Sequence, residues 1–149
     1  MPRISIATER DVEDLSQLVA ILMEQEEEFI PNKEVHKKGV SAIINNPDKG
    51  MILKLSNDGR IIGMIGILYS ISTAIGARVA IFEDFVIRPG YRNRGWGRVL
   101  FEAAVKEAQK NGCKRITLLT DHDNENAHRF YTDQGMESSS MVPFRKMLD

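Results

Sequence analysis

Two acidic residues interrupt the apolar run "VAIFEDFVI" at residues 79–87. Burying a carboxylate is costly unless it is paired or protonated, and burial raises the pKa of a carboxyl group towards that of a useful general base. Successive strand residues face opposite sides, so we expect Asp84 to point away from Glu83. The pattern makes Glu83 a candidate for a buried general base, with Asp84 as the second candidate. The alternative to catalysis is a structural ion pair between Glu83 and a core arginine.

The next segment, "RPGYRNRGWGRVL" at residues 88–100, holds four arginines and three glycines. A glycine-rich turn that leads from a strand into a helix binds anions, because free backbone N–H groups and the helix dipole both favour negative charge. A dinucleotide fingerprint is excluded because Leu100 stands at the third glycine position. A P-loop is excluded because Trp96 and Gly97 stand where Lys and Ser/Thr are required. The segment therefore predicts a phosphate site of another kind, with a solvated loop as the alternative.

Alternating strands and helices must position these residues. The patterns predict strands at 3–7, 51–55, 61–69, 79–87, 115–120 and 142–148, and helices from Thr8, at 33–44, after residue 95 and at 124–135. Thr8 with Asp11 is a helix-start signal, and Asp58 with Gly59 is a hairpin signal. The predicted order β-α-α-β-β-β-α-β-α-β-β indicates an α/β layer structure with a mixed sheet.

Bulk properties limit the possible functions. A chain of 149 residues fits one domain, residues 1–149, and a net charge of −1 argues against bulk attraction to nucleic acid or anionic lipid. The single cysteine, Cys113, excludes an intramolecular disulfide. We find neither a secretory leader pattern at the N-terminus nor an apolar run of about 18 residues. These features predict a cytoplasmic protein.

The spacing of Arg92, Gly95 and Gly97 gives R-x-x-G-x-G between a buried strand and a long helix. This resembles the acetyl-CoA pyrophosphate loop of the GNAT (Gcn5-related N-acetyltransferase) family. "EDFVIRPGYRNRGWGRVLFEAAVKEA" is similar to that family's central motif, and "NENAHRFYTDQGM" to its second motif. The resemblance implies an α/β (α+β) fold with a mixed, mostly antiparallel sheet flanked by helices, and acetyl-CoA as co-substrate without a metal.

The resemblance also implies roles for individual residues. Glu83 would act as base through water, and Tyr131 would protonate the departing sulfur of coenzyme A, the alternative for Tyr131 being a core tyrosine. Trp96 departs from the small aliphatic residue common at its position. It would pack beside the cofactor or against a partner chain, or it packs within the fold, which we favour. Asn124 is also a good N-cap. The implied cofactor-binding residues are Phe85, Val86, Ile87, Arg92, Asn93, Arg94, Gly95, Trp96, Gly97, Arg98 and Asn124.

The resulting hypothesis is an N-acetyltransferase that acts on a primary amine of a small molecule, with no nucleic-acid or membrane partner. A homodimer is common in the family, but the sequence itself does not indicate one. The alternatives are a non-catalytic acyl-CoA-binding module, a peptide or protein N-acetyltransferase, and the aminoalkylphosphonate N-acetyltransferase branch, which "AHRFY" and "IIGMIG" resemble. The acidic run Glu24, Glu26, Glu27 and Glu28 has two interpretations. It would attract a cationic acceptor, or it is a solvent-exposed face of the first helix. The spacing of His122 and His128 matches no zinc motif.

Overall fold

The computed structural model describes residues 2–26 and 30–149, and the chain divides into two units, Met1–Leu119 and Thr120–Asp149. Whether residues 1–149 form a single domain stays a prediction. The second unit contains one helix, α4 (Glu125–Asp133). The first unit contains β1 (Arg3–Ile6), α1 (Val12–Gln25), α2 (Lys33–Ile44), β2 (Gly50–Asn57), β3 (Arg60–Ser72), β4 (Ala77–Ile87), α3 (Trp96–Lys110) and β5 (Ile116–Leu118).

The first unit is built on a five-stranded sheet with strand order β1-β2-β3-β4-β5. Each of the pairs β1–β2, β2–β3 and β3–β4 is antiparallel, whereas β5 runs parallel to β4. Asp58 and Gly59, with φ of 51° and 77°, form the two-residue turn that places Asn57 opposite Arg60. The predicted hairpin signal and the predicted fold class, a mixed and mostly antiparallel sheet flanked by helices, are confirmed.

Helix α1 begins as predicted. The backbone N–H of Thr8 donates to the Asp11 carboxylate at 2.8 Å, which satisfies a donor at the start of a 3-10 turn that leads into the helix. The helix then buries Leu15 and Leu18 in a cluster that includes Met64 of β3 and Val86 of β4. These apolar contacts hold α1 against the sheet.

Strand β4 contains a bulge, because its register with β3 shifts between Glu83 and Val86. Glu83 lies opposite Gly66 and Val86 lies opposite Met64, so one residue of β3 faces two residues of β4. Asp84 adopts a left-handed φ of 55° there. The extra residue exchanges the two faces of the strand between Phe82 and Val86, and the expectation that Asp84 points away from Glu83 stays a prediction. Phe82, before the bulge, packs against Phe101 of α3, whereas Val86, after it, packs with α1.

Strand β5 pairs with β4 only over three residues, the last pair being Phe82 with Leu118. In the part of the chain that the structure describes, β5 therefore does not extend along residues 83–87 of β4. The other edge of β4 stays paired with β3 to Ile87, which lies opposite Gly63. Among the described residues, the bulge and the segment after it thus lie beyond the end of β5, where β4 is paired with β3 alone.

The strand predicted at residues 142–148, and the second strand that the predicted order places after α4, are not formed. Residues 136–149, all of which the structure describes, contain no strand, and Val142 and Phe144 are 73% and 96% exposed. An alternating apolar pattern forms a strand only when a neighbour supplies backbone hydrogen bonds, and Pro143 also removes one donor. Among residues 2–26 and 30–149, no helix combines the length and apolarity that crossing a bilayer requires.

Candidate functional site

The bulge of β4 places two adjacent carboxylates in different environments. The side chain of Glu83 is exposed, so the expectation that it is buried is wrong. Asp84 is partly buried, and its burial, together with the neighbouring charge of Glu83, raises the pKa of Asp84 to about 6. Burial thus moves the pKa of Asp84, the second candidate of the sequence analysis, towards neutral pH.

Two glycines of β3 were the sequence signal for this bulge. A Cβ on Gly66 would lie 3.0 Å from the backbone oxygen of Glu83, and one on Gly63 would lie 2.7 Å from Ile87 Cδ1. Glycine inside a strand often marks a bulge or a close approach of another backbone. The segment "IIGMIG" could thus have indicated irregular pairing opposite Glu83, which an analysis of β4 alone does not reveal.

Downstream of the bulge, Phe85, Val86 and Ile87 lie on the part of β4 that β5 does not accompany. Phe85 packs against Phe101 with ring centroids 5.9 Å apart, and Val86 is buried. Their side chains are thus held by the core, which fixes the strand backbone. An extended ligand can add to such a strand edge through main-chain hydrogen bonds. Contact of these three residues with pantetheine stays a prediction.

The loop between β4 and α3 has a run of left-handed backbone. Gly90, Asn93 and Gly95 have φ of 94°, 62° and 81°, and Gly95 is the N-cap of α3. The first helical bond runs from Val99 N to Gly95 O at 3.2 Å, so the N–H groups of residues 96–98 precede the helical ladder. The first turn of α3 carries no acidic residue. Backbone donors without nearby acids suit a phosphate group.

Gly97 fixes how closely this loop lies to the strand. A Cβ at Gly97 would lie 3.6 Å from Phe85 Cζ and 3.7 Å from Ile87 Cγ1. Alanine would make ordinary van der Waals contacts there. The beginning of α3 therefore packs directly on the predicted pantetheine edge.

Aromatic rings position one of the loop arginines. Tyr91 and Trp96 stack with centroids 5.7 Å apart, and the guanidinium carbon of Arg94 lies 5.7 Å from each ring centroid. These are cation–π distances. Trp96 thus packs within its own loop, and it holds Arg94 beside the N-terminus of α3.

The other two predicted phosphate-binding arginines have partners within the chain. Arg98 Nε donates to Glu102 Oε1 at 2.9 Å along the exposed side of α3. Arg92 Nε donates to the backbone oxygen of Ile87 at 2.7 Å. In this structure, therefore, Arg98 and Arg92 are each directed to a protein oxygen.

The second unit contains the remaining predicted site residues. Asn124 Oδ1 accepts from Ala127 N at 3.1 Å, so its prediction as an N-cap is confirmed. Tyr131 is partly buried, and its ring lies edge-on to Phe130 at 5.5 Å. His128 Nε2 lies 2.8 Å from Asp121 O, which ties its ring to the turn before α4. The roles of Asn124 towards cofactor and of Tyr131 as acid stay predictions.

The possible metal ligands and the acidic run lie in different parts of the chain. Among residues 2–26 and 30–149, no group of three or more His, Cys, Asp or Glu side chains is arranged to hold a metal ion. In the acidic run, Glu24 is exposed near the end of α1 and Glu26 is its C-cap residue. Glu27 and Glu28 lie outside the described residues.

Comparison with known proteins agrees with this geometry. The model of the acetyltransferase (GNAT) family matches residues 15–136. An uncharacterised N-acetyltransferase of Bacillus subtilis is 32% identical over 62% of this chain and 62% of its own length. An L-ornithine N5-acetyltransferase of Arabidopsis thaliana is 31% identical over 74% of this chain. The chain spans 48% of that second relative, so it covers less than two thirds of either.

A further relative and a solved structure extend the likeness over most of the chain. An aminoalkylphosphonate N-acetyltransferase of Salmonella typhimurium is 26% identical over 89% of this chain and 83% of its own length. The crystal structure of a possible acetyltransferase from Clostridium difficile superposes with a TM-score of 0.88 at 18% identity, covering 100% of this chain and 99% of that one. At that identity the superposition shows a shared fold.

Proposed function

Because the chain belongs to the GNAT family of acetyltransferases, we propose that it transfers the acetyl group of acetyl-CoA to a primary amine. The family match over residues 15–136, which spans the arginine-glycine loop and residues 124–131, carries the proposal. The sequence favours a cytoplasmic enzyme that acts on a small molecule, with no nucleic acid, membrane or metal involved.

The loop fits the diphosphate of the co-substrate. The amides of residues 96–98, the aromatic-supported guanidinium of Arg94 and the absence of acids in the first turn of α3 together favour a double negative charge. The β4 edge at residues 85–87 would receive the extended arm. When bound, acetyl-CoA supplies the activated thioester carbonyl. The protein supplies orientation and proton transfer.

One proton must leave the attacking amine, because amines are protonated at neutral pH. Two carboxylates of the bulge are candidates for accepting it. By resemblance, Glu83 accepts it through water, and its exposed side chain is in contact with solvent. Asp84 has the better matched environment, since a pKa of about 6 lies close to the working pH of a general base. The sequence favours the first residue and the structure favours the second.

A second proton must reach the departing sulfur. A tyrosine hydroxyl can donate a hydrogen bond and a proton to a thiolate, and the resemblance assigns this role to Tyr131. The edge-on contact with Phe130 orients the Tyr131 ring within the second unit. We propose Tyr131 as the acid on the basis of the motif.

The acceptor class is proposed from the relatives. Two of them are named for ornithine and for aminoalkylphosphonates, and both substrates are small molecules with a primary amine. We therefore propose a small amine rather than a peptide as the acceptor. An exposed acidic residue such as Glu24 favours a cationic amine, whereas the aminoalkylphosphonate likeness favours an anionic one.

The test is a thiol assay for free coenzyme A on a panel comprising ornithine, an aminoalkylphosphonate, a polyamine and a lysine peptide. We expect release of thiol with at least one small amine. Tight binding of acetyl-CoA with no release on any amine would instead support the acyl-CoA-binding module, and release with the peptide alone would support a protein acetyltransferase.

The base is identified in the same assay by pH profiles of Glu83→Gln and Asp84→Asn. If Asp84 is the base, its asparagine variant loses turnover, and the glutamine variant of Glu83 keeps a rate that falls below about pH 6. Loss of turnover in Glu83→Gln alone would assign the base to Glu83.

A further inference from the structure

Arg92 connects the phosphate loop to two other elements of the first unit. Its Nε donates to the backbone oxygen of Ile87, the last residue of β4, at 2.7 Å. With the Gln25 amide oxygen turned towards the guanidinium, that oxygen accepts from Nη2 at 2.8 Å and from Nη1 at 3.2 Å. Gln25 is the last residue of α1. One side chain thus joins the ends of α1 and β4 to the loop.

We infer that Arg92 is a positioning residue for donor binding, acting with Gln25, rather than a direct phosphate ligand; this inference rests on the proposed function. A phosphate-binding arginine presents the fork of its two terminal nitrogens to the anion. Here both terminal nitrogens face the Gln25 oxygen, and Nε faces Ile87.

The position of Arg92 in the loop explains why this contact matters. The residues that follow it include Asn93 and Gly95, both with left-handed backbone, and then the amides of residues 96–98. The position of Arg92 therefore sets the position of the backbone amides that follow it in the loop. Its contact with Ile87 also sets the spacing between the loop and the β4 edge. The same bonds therefore align the two parts of the proposed donor site.

An uncharged residue of α1 should then affect the binding of a charged co-substrate. We expect Gln25→Ala to raise the Kd for acetyl-CoA about fivefold and Arg92→Ala about tenfold, as for the loss of hydrogen bonds to a charged group. The double variant should bind acetyl-CoA no more weakly than Arg92→Ala, since each substitution removes the same contact between Gln25 and Arg92. Arg92→Lys should resemble Arg92→Ala, because lysine keeps the charge but lacks the planar fork.

The experiment is calorimetric titration of the full chain with acetyl-CoA, for the wild type, the two single variants, the double variant and Arg92→Lys. Gln17→Ala is the matched control, since Gln17 is an exposed glutamine of the same helix. Urea unfolding of each variant reports stability separately. Steady-state kinetics should show a raised KM for acetyl-CoA with kcat nearly unchanged at saturation, a separation that a general loss of folding would not produce.

Each outcome bears on a different statement. A wild-type chain that does not bind acetyl-CoA overturns the proposed function. If the wild type binds but Gln25→Ala binds equally well, or the effects of the two single variants multiply in the double variant, the positioning role is overturned. Recovery of affinity in Arg92→Lys likewise overturns it and assigns Arg92 to phosphate by charge. The positioning role is supported if Gln25→Ala binds acetyl-CoA more weakly, Gln17→Ala binds it as the wild type does, and Arg92→Lys binds it no better than Arg92→Ala.

Discussion

Asp84→Asn should stabilise the fold, and the gain should grow with pH. The carboxyl group of Asp84 has a folded-state pKa of about 6 against an ordinary value of 3.8, because burial and the adjacent charge of Glu83 disfavour ionisation. Asparagine is nearly isosteric, carries no charge and tolerates the left-handed φ of 55° at this position. The substitution therefore removes the charge with little change to the backbone.

The magnitude follows from linkage. A raised folded-state pKa means that the folded chain binds the Asp84 proton more tightly than the unfolded chain does. The contribution of this proton to the free energy of unfolding is complete below pH 3.8 and is lost as the pH rises through 6. A shift of about 2 units at about 1.4 kcal/mol each corresponds to roughly 3 kcal/mol at pH 8. At pH 5 the same relation leaves about half of that penalty. Asparagine avoids the penalty at every pH.

The assay is urea unfolding of wild type and Asp84→Asn at pH 5, 6, 7 and 8. Glu83→Gln is the control, because its exposed side chain should change the free energy of unfolding by less than about 0.5 kcal/mol beyond a small relief of repulsion. A gain in Asp84→Asn that does not change between pH 5 and pH 8, or a loss of stability at pH 8, would refute a buried, destabilising charge at the bulge.

Three further predictions concern single contacts. Asp11→Ala should lower the free energy of unfolding by about 2–3 kcal/mol, measured in urea at pH 7, since it removes the 2.8 Å pair with Lys54; a change below about 0.5 kcal/mol would contradict this. Tyr131→Phe should lower kcat about 100-fold with acetyl-CoA affinity nearly intact, and unchanged turnover would exclude Tyr131 as the acid. Asn124→Ala should weaken α4 by about 1 kcal/mol, seen as faster hydrogen exchange at the Ala127 amide; exchange at the wild-type rate would contradict the cap.

Local signals predicted much of the fold. Helix α2 lies at residues 33–44, close to where the helical pattern ended by "NNPDKG" predicted it, and the structure adds Asn32 as its N-cap. The Asp58-Gly59 turn was equally clear, since few residues other than glycine, asparagine and aspartate adopt positive φ at both turn positions. The loop before α3 lies between strand and helix as its glycines indicated.

The failures share a cause, which is that strand pairing is not a local property. The bulge in β4 is a register shift against Gly66 and Met64, whereas the alternation rule assumes one constant register. The strand predicted at residues 142–148 needed a neighbour that the pattern cannot supply. The contact between Gln25 and Arg92 joins residues far apart in sequence, neither of which has a pattern that indicates the other.

The aromatic stack in the loop has a spectroscopic consequence. Trp96 is the chain's one tryptophan, and it lies between Tyr91 and the first turn of α3 with a guanidinium above it. Tryptophan emission from the unlabelled protein therefore arises from the β4–α3 connection alone. If the loop binds acetyl-CoA as proposed, we expect the co-substrate to change that emission, because binding would alter the surroundings of the stack.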